Sequence, residues 1–438
     1  MDQPVAPAAI RAAFSAAMSR MYRAEVPLYG DLLEIVAAVN RNALAAAPEL
    51  ARQLTASGED ARLGEERHGA IRVGTPAELR LLARIFAVMG MAPVGYYDLA
   101  PAGIPVHSTA FRAADAAELA TSPFRVFTSL LRLELIADTT LRAQAQAILA
   151  GRQIVSAECL ALVGQAERDG GLGAADADRF VAATLEIFRW QGRAIVDAAT
   201  YHALLAQHRL VADIVAFPGP HINHLTPRTL DIDAAQAEMQ RRGMAAKASI
   251  EGPPRRAVPI LLRQTSFHAL SEGFVPTDGA DSPAQHTARF GEIEQRGAAL
   301  TPAGRALYDR CLDAAQQGQD PAAAFAPFPD DFAAMVAGGL AYAQYLSTGR
   351  AGHAASIAQA LADGLVIAAP LTYEDFLPVS AAGIFRSNLG AGDAADSYAA
   401  GGSQAAFEDA LGRAVLDPFA LYQAAQDRSA AHALAQLA

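Results

Sequence analysis

The chain has 438 residues, which suits two or three domains or one large α/β unit. Its hydrophobic fraction of 52% supplies a sizeable core, and a charged fraction of 18% argues against wholesale disorder. The formal net charge of −11 argues against a nucleic-acid-binding surface, which normally shows a basic stripe. An anionic substrate is still compatible with this charge, because one or two buried arginines reverse the field locally.

Signals for export, membrane insertion or disulfide chemistry are weak. The N-terminal residues lack a basic start followed by an apolar stretch, so we expect no secretory signal. No apolar run approaches the roughly 20 residues that a membrane span needs. Cys159 and Cys311 lie in no metal-binding or redox motif. We therefore expect a cytoplasmic protein whose partners include neither nucleic acid nor membrane.

The N-terminal part is predicted to be helical, because apolar residues such as Ile10, Phe14 and Met18 recur with a helical period. A polar loop at 54–66 follows. Residues 67–73 are then predicted to form a strand.

This strand would place His68, Ala70 and Arg72 on one face. A metal ligand and an arginine that face the same cavity would suit an anionic substrate bound to a metal. The alternative is an edge strand whose Arg72 faces solvent.

A first β-α-β-β-β unit is predicted over 67–135. After the first strand, Thr75 and Glu78 form a capping box that begins a helix. Three β-like segments follow this helix, at 93–99, 106–112 and 124–135.

Residues 137–210 are predicted to be a helical insertion, and a second unit of the same order follows within 215–297. Its predicted elements are a strand at 221–225, a helix at 233–243, and strands at 246–251, 259–271 and 286–295. A repeat at this scale is more informative than any single residue. It places His68 and His224 on the first strand of each unit and Glu292 on the last strand of the second.

The segment 217–228 reads Phe-Pro-Gly-Pro-His-Ile-Asn-His-Leu-Thr-Pro-Arg, and its three prolines and one glycine exclude a helix interior. We predict an extended segment at the edge of a sheet, carrying His221 and His224. Imidazole is the commonest protein ligand for transition metals, although a single histidine is more often structural. Two histidines and one carboxylate from separate strands are the pattern of a mononuclear iron(II) oxygenase.

The C-terminal part, 298–438, is predicted to be mostly helical and to cover the site, with a packed loop at 373–385. We therefore predict an α+β fold and a single catalytic unit over 1–438. Its two β-α-β-β-β modules would form a curved sheet around a metal, as in the vicinal oxygen chelate superfamily.

Motifs across most of the chain resemble, in order, the bacterial 2-oxoadipate dioxygenase/decarboxylase family, also called hydroxyglutarate synthase. The matching segments are His68-Gly69-Ala70-Ile71-Arg72, Gly219 to Arg228, Gln264-Thr265-Ser266-Phe267, Phe290 to Gly297, and the loop from Pro378 to Phe385.

The resemblance implies an Fe(II) site whose ligands are His68, His224 and Glu292. It also implies that Arg72 binds a substrate carboxylate. The implied reaction uses O2 to convert 2-oxoadipate, a small 2-oxo diacid, into 2-hydroxyglutarate and CO2 in lysine catabolism. No separate 2-oxoglutarate is needed, because the substrate supplies its own reducing electrons.

The resemblance further implies that Val379 and Ser380 line the pocket near the other end of the substrate. The guanidinium of an arginine suits a carboxylate, because it donates two parallel, charge-assisted hydrogen bonds. Gln264 and His268 would share a strand face and are candidates for orienting the ligands.

Several alternatives stay open in the sequence. Glu294 shares the strand face of Glu292 and is a second candidate ligand. His221 lies in the same segment as His224, and its role is left open. A metal-dependent lyase or isomerase on the same scaffold is the second functional hypothesis. A non-catalytic binding protein with structural histidines is the third. The oligomeric state, the stereochemistry of the product, the range of substrate lengths and the metal in a purified sample are left undetermined.

Overall fold

The computed structural model describes residues 3–65, 67–279, 284–377 and 403–437. Within these ranges, helices surround one large mixed sheet, and a separate two-stranded sheet lies in the C-terminal part. The strands, numbered in chain order, are β1 (Arg67–Val73), β2 (Ala92–Asp98), β3 (Val106–Arg112), β4 (Arg125–Leu131), β5 (His224–Pro227), β6 (Leu262–Ser266), β7 (Leu270–Phe274), β8 (Ala284–Arg296), β9 (Ala343–Ser347) and β10 (Val366–Pro370).

Helices fill the N-terminal part, the stretch between the two units and much of the C-terminal part. They are α1 (Pro7–Glu25), α2 (Pro27–Ala46), α3 (Pro48–Ser57), α4 (Glu59–Leu63), α5 (Pro76–Val88), α6 (Ala116–Thr121), α7 (Thr139–Ala150), α8 (Ala157–Asp169), α9 (Ala174–Leu185), α10 (Ala198–Gln207), α11 (Arg209–Val215), α12 (Ile232–Arg241), α13 (Pro302–Gln316), α14 (Pro321–Ala324), α15 (Phe332–Ala337), α16 (Ile357–Ala362), α17 (Gln404–Leu411) and α18 (Pro418–Ala435). None of the described helices is long and apolar enough to cross a membrane.

The large sheet has the strand order β2-β3-β4-β1-β5-β8, and both β6 and β7 pair with the long strand β8. In the first unit, β1 pairs in parallel with β4. In the second unit, β5 pairs in parallel with β8. The two units meet where β1 pairs antiparallel with β5. The α+β prediction of two β-α-β-β-β modules in one curled sheet is therefore confirmed.

The predicted position of 217–228 at a sheet edge is wrong, because β5 lies in the centre of the sheet between β1 and β8. The prolines do not interrupt the ladder: Pro220 precedes the strand and Pro227 is its last residue. A proline at a strand end removes a backbone donor where little pairing is lost.

Other differences concern element boundaries. The predicted polar loop at 54–66 is largely helical, since α3 and α4 occupy most of it. Residues 246–251 form isolated β-bridges rather than a named strand, and the predicted strand 259–271 divides into β6 and β7. The hairpin of β9 and β10 was not predicted.

The outer face of the sheet packs on the N-terminal helices through Ile71, Leu225 and Ile293. Gly69 lies on this face, and a β-carbon there would stand 2.5 Å from Ile222 Cδ1. The neighbouring residues of β1, including His68, point to the opposite, inner face, where the polar side chains collect. One face of the sheet is thus structural, and the other is available for chemistry.

Candidate metal centre

Three buried side chains converge on the inner face of the sheet. His68 on β1, His224 on β5 and Glu292 on β8 each offer one ligand atom, and these atoms all lie within 4.8 Å of one another. His68 Nε2 lies 3.4 Å from Glu292 Oε1. Because the three strands are adjacent in the sheet, their inward side chains meet above β5.

The hydrogen bonds of Glu292 leave one carboxylate oxygen for a ligand. Gln264 Nε2 donates to Glu292 Oε1 at 2.6 Å, and Thr226 Oγ1 donates to the same oxygen at 3.2 Å. Among the described residues, Glu292 Oε2 and His224 Nδ1 are buried and have no hydrogen-bond partner. Buried polar atoms are normally satisfied, so these atoms fit a site that holds a metal ion.

Glu294 occupies a different position from Glu292, although both carboxylates lie on β8. Its Oε2 lies 3.0 Å from His68 Nδ1, and Arg296 donates to both of its oxygens at 2.8 Å. Burial raises the pKa of Glu294, but Arg296, His68 and Arg125 outweigh it and lower this pKa to about 2. A carboxylate behind an imidazole fixes the ring of a metal-binding histidine. The geometry therefore favours Glu292 as the ligand and Glu294 as the group that orients His68.

The two imidazoles differ in their electrostatic surroundings. Burial lowers the pKa of His68, but Glu294 and Glu292 outweigh burial and leave this pKa above its usual range. Burial and the neighbouring charges of His68, Arg72 and Lys247 hold the pKa of His224 well below its usual range. The carboxylates around His68 thus attract a positive charge, and a bound metal cation would satisfy the same field.

Arg72 is buried and lies on β1 with its Nη1 atom 2.6 Å from Asp213 Oδ2 of α11. The alternative that Arg72 faces solvent from an edge strand is therefore wrong. Asp213 Oδ1 also lies 2.8 Å from His286 Nε2 and 3.3 Å from His221 Nε2. His221 belongs to this second cluster rather than to the three convergent side chains.

The C-terminal chain covers the centre. The Phe376 ring stands edge-on to the His68 ring at 4.8 Å between centroids, and Arg296 lies over the same phenyl ring at 5.4 Å. Asp375 accepts two hydrogen bonds from Arg112, at 2.7 and 3.0 Å. These contacts place an apolar ring against the candidate ligands and anchor it with ion pairs.

Val379 and Ser380 lie outside the described residues, so their predicted place in the pocket stays a prediction. Of the two predicted orienting residues, Gln264 contacts Glu292. The prediction for His268 is wrong: β6 ends at Ser266, and His268 is exposed beyond it.

Some residues that contact the site were not predicted from the sequence. Thr226 follows His224 by two positions on the same strand, so strand alternation alone would have placed it on the inner face. Asp213 contacts Arg72 from a helix distant in sequence, and no local pattern signals that contact. Phe376 lies in the segment 373–385 that was predicted to be a packed loop, although its contact with His68 was not predicted.

Comparison with known proteins shows the family to which the chain belongs. A family profile described as 2-oxoadipate dioxygenase/decarboxylase matches residues 14–388. A Pseudomonas putida protein named 2-oxoadipate dioxygenase/decarboxylase is 56% identical over 97% of this chain and 96% of its own length. An Escherichia coli protein of the same name is 54% identical, with 96% of each chain covered. The crystal structure of hydroxyglutarate synthase from Pseudomonas putida in complex with 2-oxoadipate is 53% identical and superimposes with a TM-score of 0.91, covering 99% of this chain and 100% of that one.

Proposed function

The chain belongs to the 2-oxoadipate dioxygenase/decarboxylase family, and on that premise we propose that it is an Fe(II)-dependent oxygenase acting on 2-oxoadipate. The reaction consumes one O2, releases one CO2 and leaves 2-hydroxyglutarate, so that all atoms of O2 are retained in the products. The convergence of His68, His224 and Glu292 carries the proposal. The 2-oxoadipate complex of the Pseudomonas putida relative supports the substrate class.

We propose that His68, His224 and Glu292 hold the metal. Two imidazoles and one carboxylate leave coordination positions open, and Fe(II) in such a site supplies the electrons that activate O2. The surrounding residues keep the ligands in place: Thr226 and Gln264 hydrogen-bond to Glu292. Such hydrogen bonds orient a metal-binding carboxylate.

Arg72 is proposed to bind one carboxylate of the substrate, and Val379 and Ser380 to line the pocket near the other end. Asp213 holds Nη1 of Arg72 at 2.6 Å and so limits the positions that the guanidinium can adopt. Phe376 lies against His68 and limits the access of water to that side of the centre. Water exclusion protects a reactive intermediate from side reactions.

The residues that converge come from both β-α-β-β-β modules and from the C-terminal part, which supports the proposal of a single catalytic unit over 1–438. A cytoplasmic location and a place in lysine catabolism stay predictions.

The test is anaerobic reconstitution of the protein with Fe(II), followed by measurement of O2 uptake, CO2 and organic product after 2-oxoadipate is added. We expect equal amounts of O2 consumed, CO2 released and 2-hydroxyglutarate formed. His224→Ala should abolish all three, whereas His268→Ala, at an exposed histidine, should leave them unchanged. Absence of O2 uptake by folded, iron-loaded protein would overturn the proposal and favour a metal-dependent lyase or isomerase.

A further inference from the structure

Lys247 is the only lysine in the sequence, which contains 35 lysine and arginine residues in total. It is also buried, with 4% of its surface exposed. A lysine ammonium is a compact point charge, whereas an arginine guanidinium is a planar fork, so the two are not interchangeable in a shaped site. All the other residues in this total are arginines. Lys247 therefore carries the single primary amine among the side chains, and this amine lies inside the molecule.

The β-pairing places Lys247 on the inner face of the sheet. Its backbone N–H donates to the Ser266 carbonyl at 2.9 Å, and the preceding residue bridges antiparallel to Phe267. Ser266 in turn lies opposite Glu292 in the pairing of β6 with β8. Directly opposed residues of antiparallel strands project to the same face, so Lys247 projects to the face that carries Glu292.

The row of side chains that contains Lys247 continues across the sheet to the candidate ligands. From Glu292 the row passes through Thr226, which hydrogen-bonds to it, and reaches His68, which lies opposite Thr226. Short side chains, Ser266 and Thr226, alternate in this row with the longer ones.

The charges around Lys247 agree with this placement. Its Nζ lies 3.5 Å from Glu251 Oε1, which is long for a charge-assisted hydrogen bond. Burial lowers the pKa of Lys247, while the negative charges of Glu251 and Glu292 raise it. The field of a candidate metal ligand therefore reaches this amine.

We propose that Lys247 is a second cationic substrate-binding residue, which takes the distal carboxylate of the 2-oxo diacid, the one remote from the 2-oxo group. Arg72 is on β1 and Lys247 lies beyond β6, so the strands that carry His224 and Glu292 separate the two cations across the sheet. A diacid offers a carboxylate to each end of this arrangement. A monoacid brings no second carboxylate to the buried ammonium, so it should bind less tightly than the diacid. The inference rests on the proposed function and deepens it by naming a residue that selects diacids.

The test is equilibrium binding of 2-oxoadipate and of 2-oxohexanoate, in which a methyl group replaces the distal carboxylate, to Fe(II)-loaded protein without O2. We expect Lys247→Met to weaken binding of 2-oxoadipate about 10- to 100-fold, as for the loss of a charged hydrogen bond, and to change binding of 2-oxohexanoate little. Lys247→Arg should retain part of the preference. Arg52→Met, at an exposed cation, is the matched control and should alter neither affinity.

A second measurement needs no variant. Selective ¹³C labelling of lysine gives the signals of Lys247 alone, and in Zn(II)-loaded protein 2-oxoadipate should shift its ε-carbon signal more than 2-oxohexanoate does. Equal shifts, or a folded Lys247→Met that keeps the preference for the diacid, would overturn the role of Lys247 and leave the oxygenase proposal intact. Wild-type protein that binds the diacid through Lys247 but consumes no O2 would refute the oxygenase proposal alone.

Discussion

Neighbouring groups, rather than residue type, separate the roles of the carboxylates at the centre. Glu292 is contacted by neutral donors, Gln264 and Thr226, and keeps one oxygen without a hydrogen-bond partner among the described residues. Glu294 accepts two hydrogen bonds from Arg296 and faces His68. An anion that is already neutralised by arginine is a poor ligand for a cation, so we expect the two positions to differ in function although they share a strand face.

Thr226→Val tests the support of Glu292. The variant keeps the shape of the side chain but removes the hydroxyl that donates to Oε1 at 3.2 Å. We expect the affinity for Fe(II) to fall about 10-fold, because groups that hydrogen-bond to metal ligands typically contribute this much. Anaerobic Fe(II) titration measures the change. Thr229→Val, at a buried threonine that contacts Asn40 instead, is the control, and equal affinities in both variants would contradict the role of Thr226.

We expect His107 to make the free energy of unfolding depend on pH. Burial, and then the charge of Arg132, lower its pKa to about 4. In the unfolded chain the imidazole takes up a proton near its usual pKa of about 6.5, so the free energy of unfolding should fall as the pH drops from about 6.5 to about 4. This contribution is about 2 kcal/mol between neutral pH and about pH 5.

Urea unfolding at the two pH values measures this dependence. His107→Gln should lose the contribution, so its pH dependence should be weaker than that of the wild type. An identical pH dependence in both proteins would show that His107 titrates normally in the folded state.

At the scale of elements, the segment 371–377 depends on the C-terminal helix α18. Tyr422 of α18 donates its hydroxyl to Asp375 Oδ2 at 2.6 Å and accepts the backbone N–H of Glu374 at 2.7 Å. Asp375 is further held by Arg112 of β3. A helix distant in sequence from the ligand-bearing strands thereby fixes the residue next to Phe376, which lies on His68.

Tyr422→Phe removes the hydroxyl and leaves two buried groups without this partner. We expect the free energy of unfolding to fall by about 1–3 kcal/mol, the cost of an unsatisfied buried polar group. Tyr345→Phe on β9 is the control and should cost less. A chemical denaturation series measures both, and equal losses would mean that the hydroxyl of Tyr422 has no special role.

The sequence predicted the elements that carry strong local signals. The capping box is present: the Thr75 side chain accepts the N–H of Glu78, and Glu78 reaches back to Thr75. The strands of the first unit lie where alternation and turn residues predicted them. The central place of β5 was not predictable, because the pairing of a strand is decided by partners far away in sequence. The division of 259–271 into two strands follows from their pairing with different halves of β8, which is also a tertiary effect.

At the scale of the whole molecule, the N-terminal helices support the strands that carry the ligands. Tyr22 of α1 donates its hydroxyl to the backbone carbonyls of Asn223 and Phe290, at 3.1 and 2.7 Å. Asn223 directly precedes β5, and Phe290 lies within β8. The centre therefore stands on a sheet that is held from behind by helices and covered in front by the C-terminal segment. We expect a site held in this way to bind a metal with a small ordering cost.

Metal binding should stabilise the whole fold. A ligand that binds only the folded state at a free concentration of about 100 times its Kd raises the free energy of unfolding by about 2.7 kcal/mol. We expect anaerobic addition of Fe(II) to raise the midpoint of thermal unfolding of the wild type and of His268→Ala. The increase should be absent in His224→Ala, and an equal increase in all three proteins would place the metal elsewhere.

The stoichiometry of Fe(II) binding in Glu292→Gln and Glu294→Gln tests the central claim most directly. The two substitutions are chemically identical and lie two residues apart on one strand face. If Glu292 is the ligand, anaerobic titration should give one tightly bound Fe(II) per chain in the wild type, a weakened site in Glu294→Gln and no tight site in Glu292→Gln. Tight binding retained by Glu292→Gln and lost in Glu294→Gln would contradict this assignment and make Glu294 the ligand.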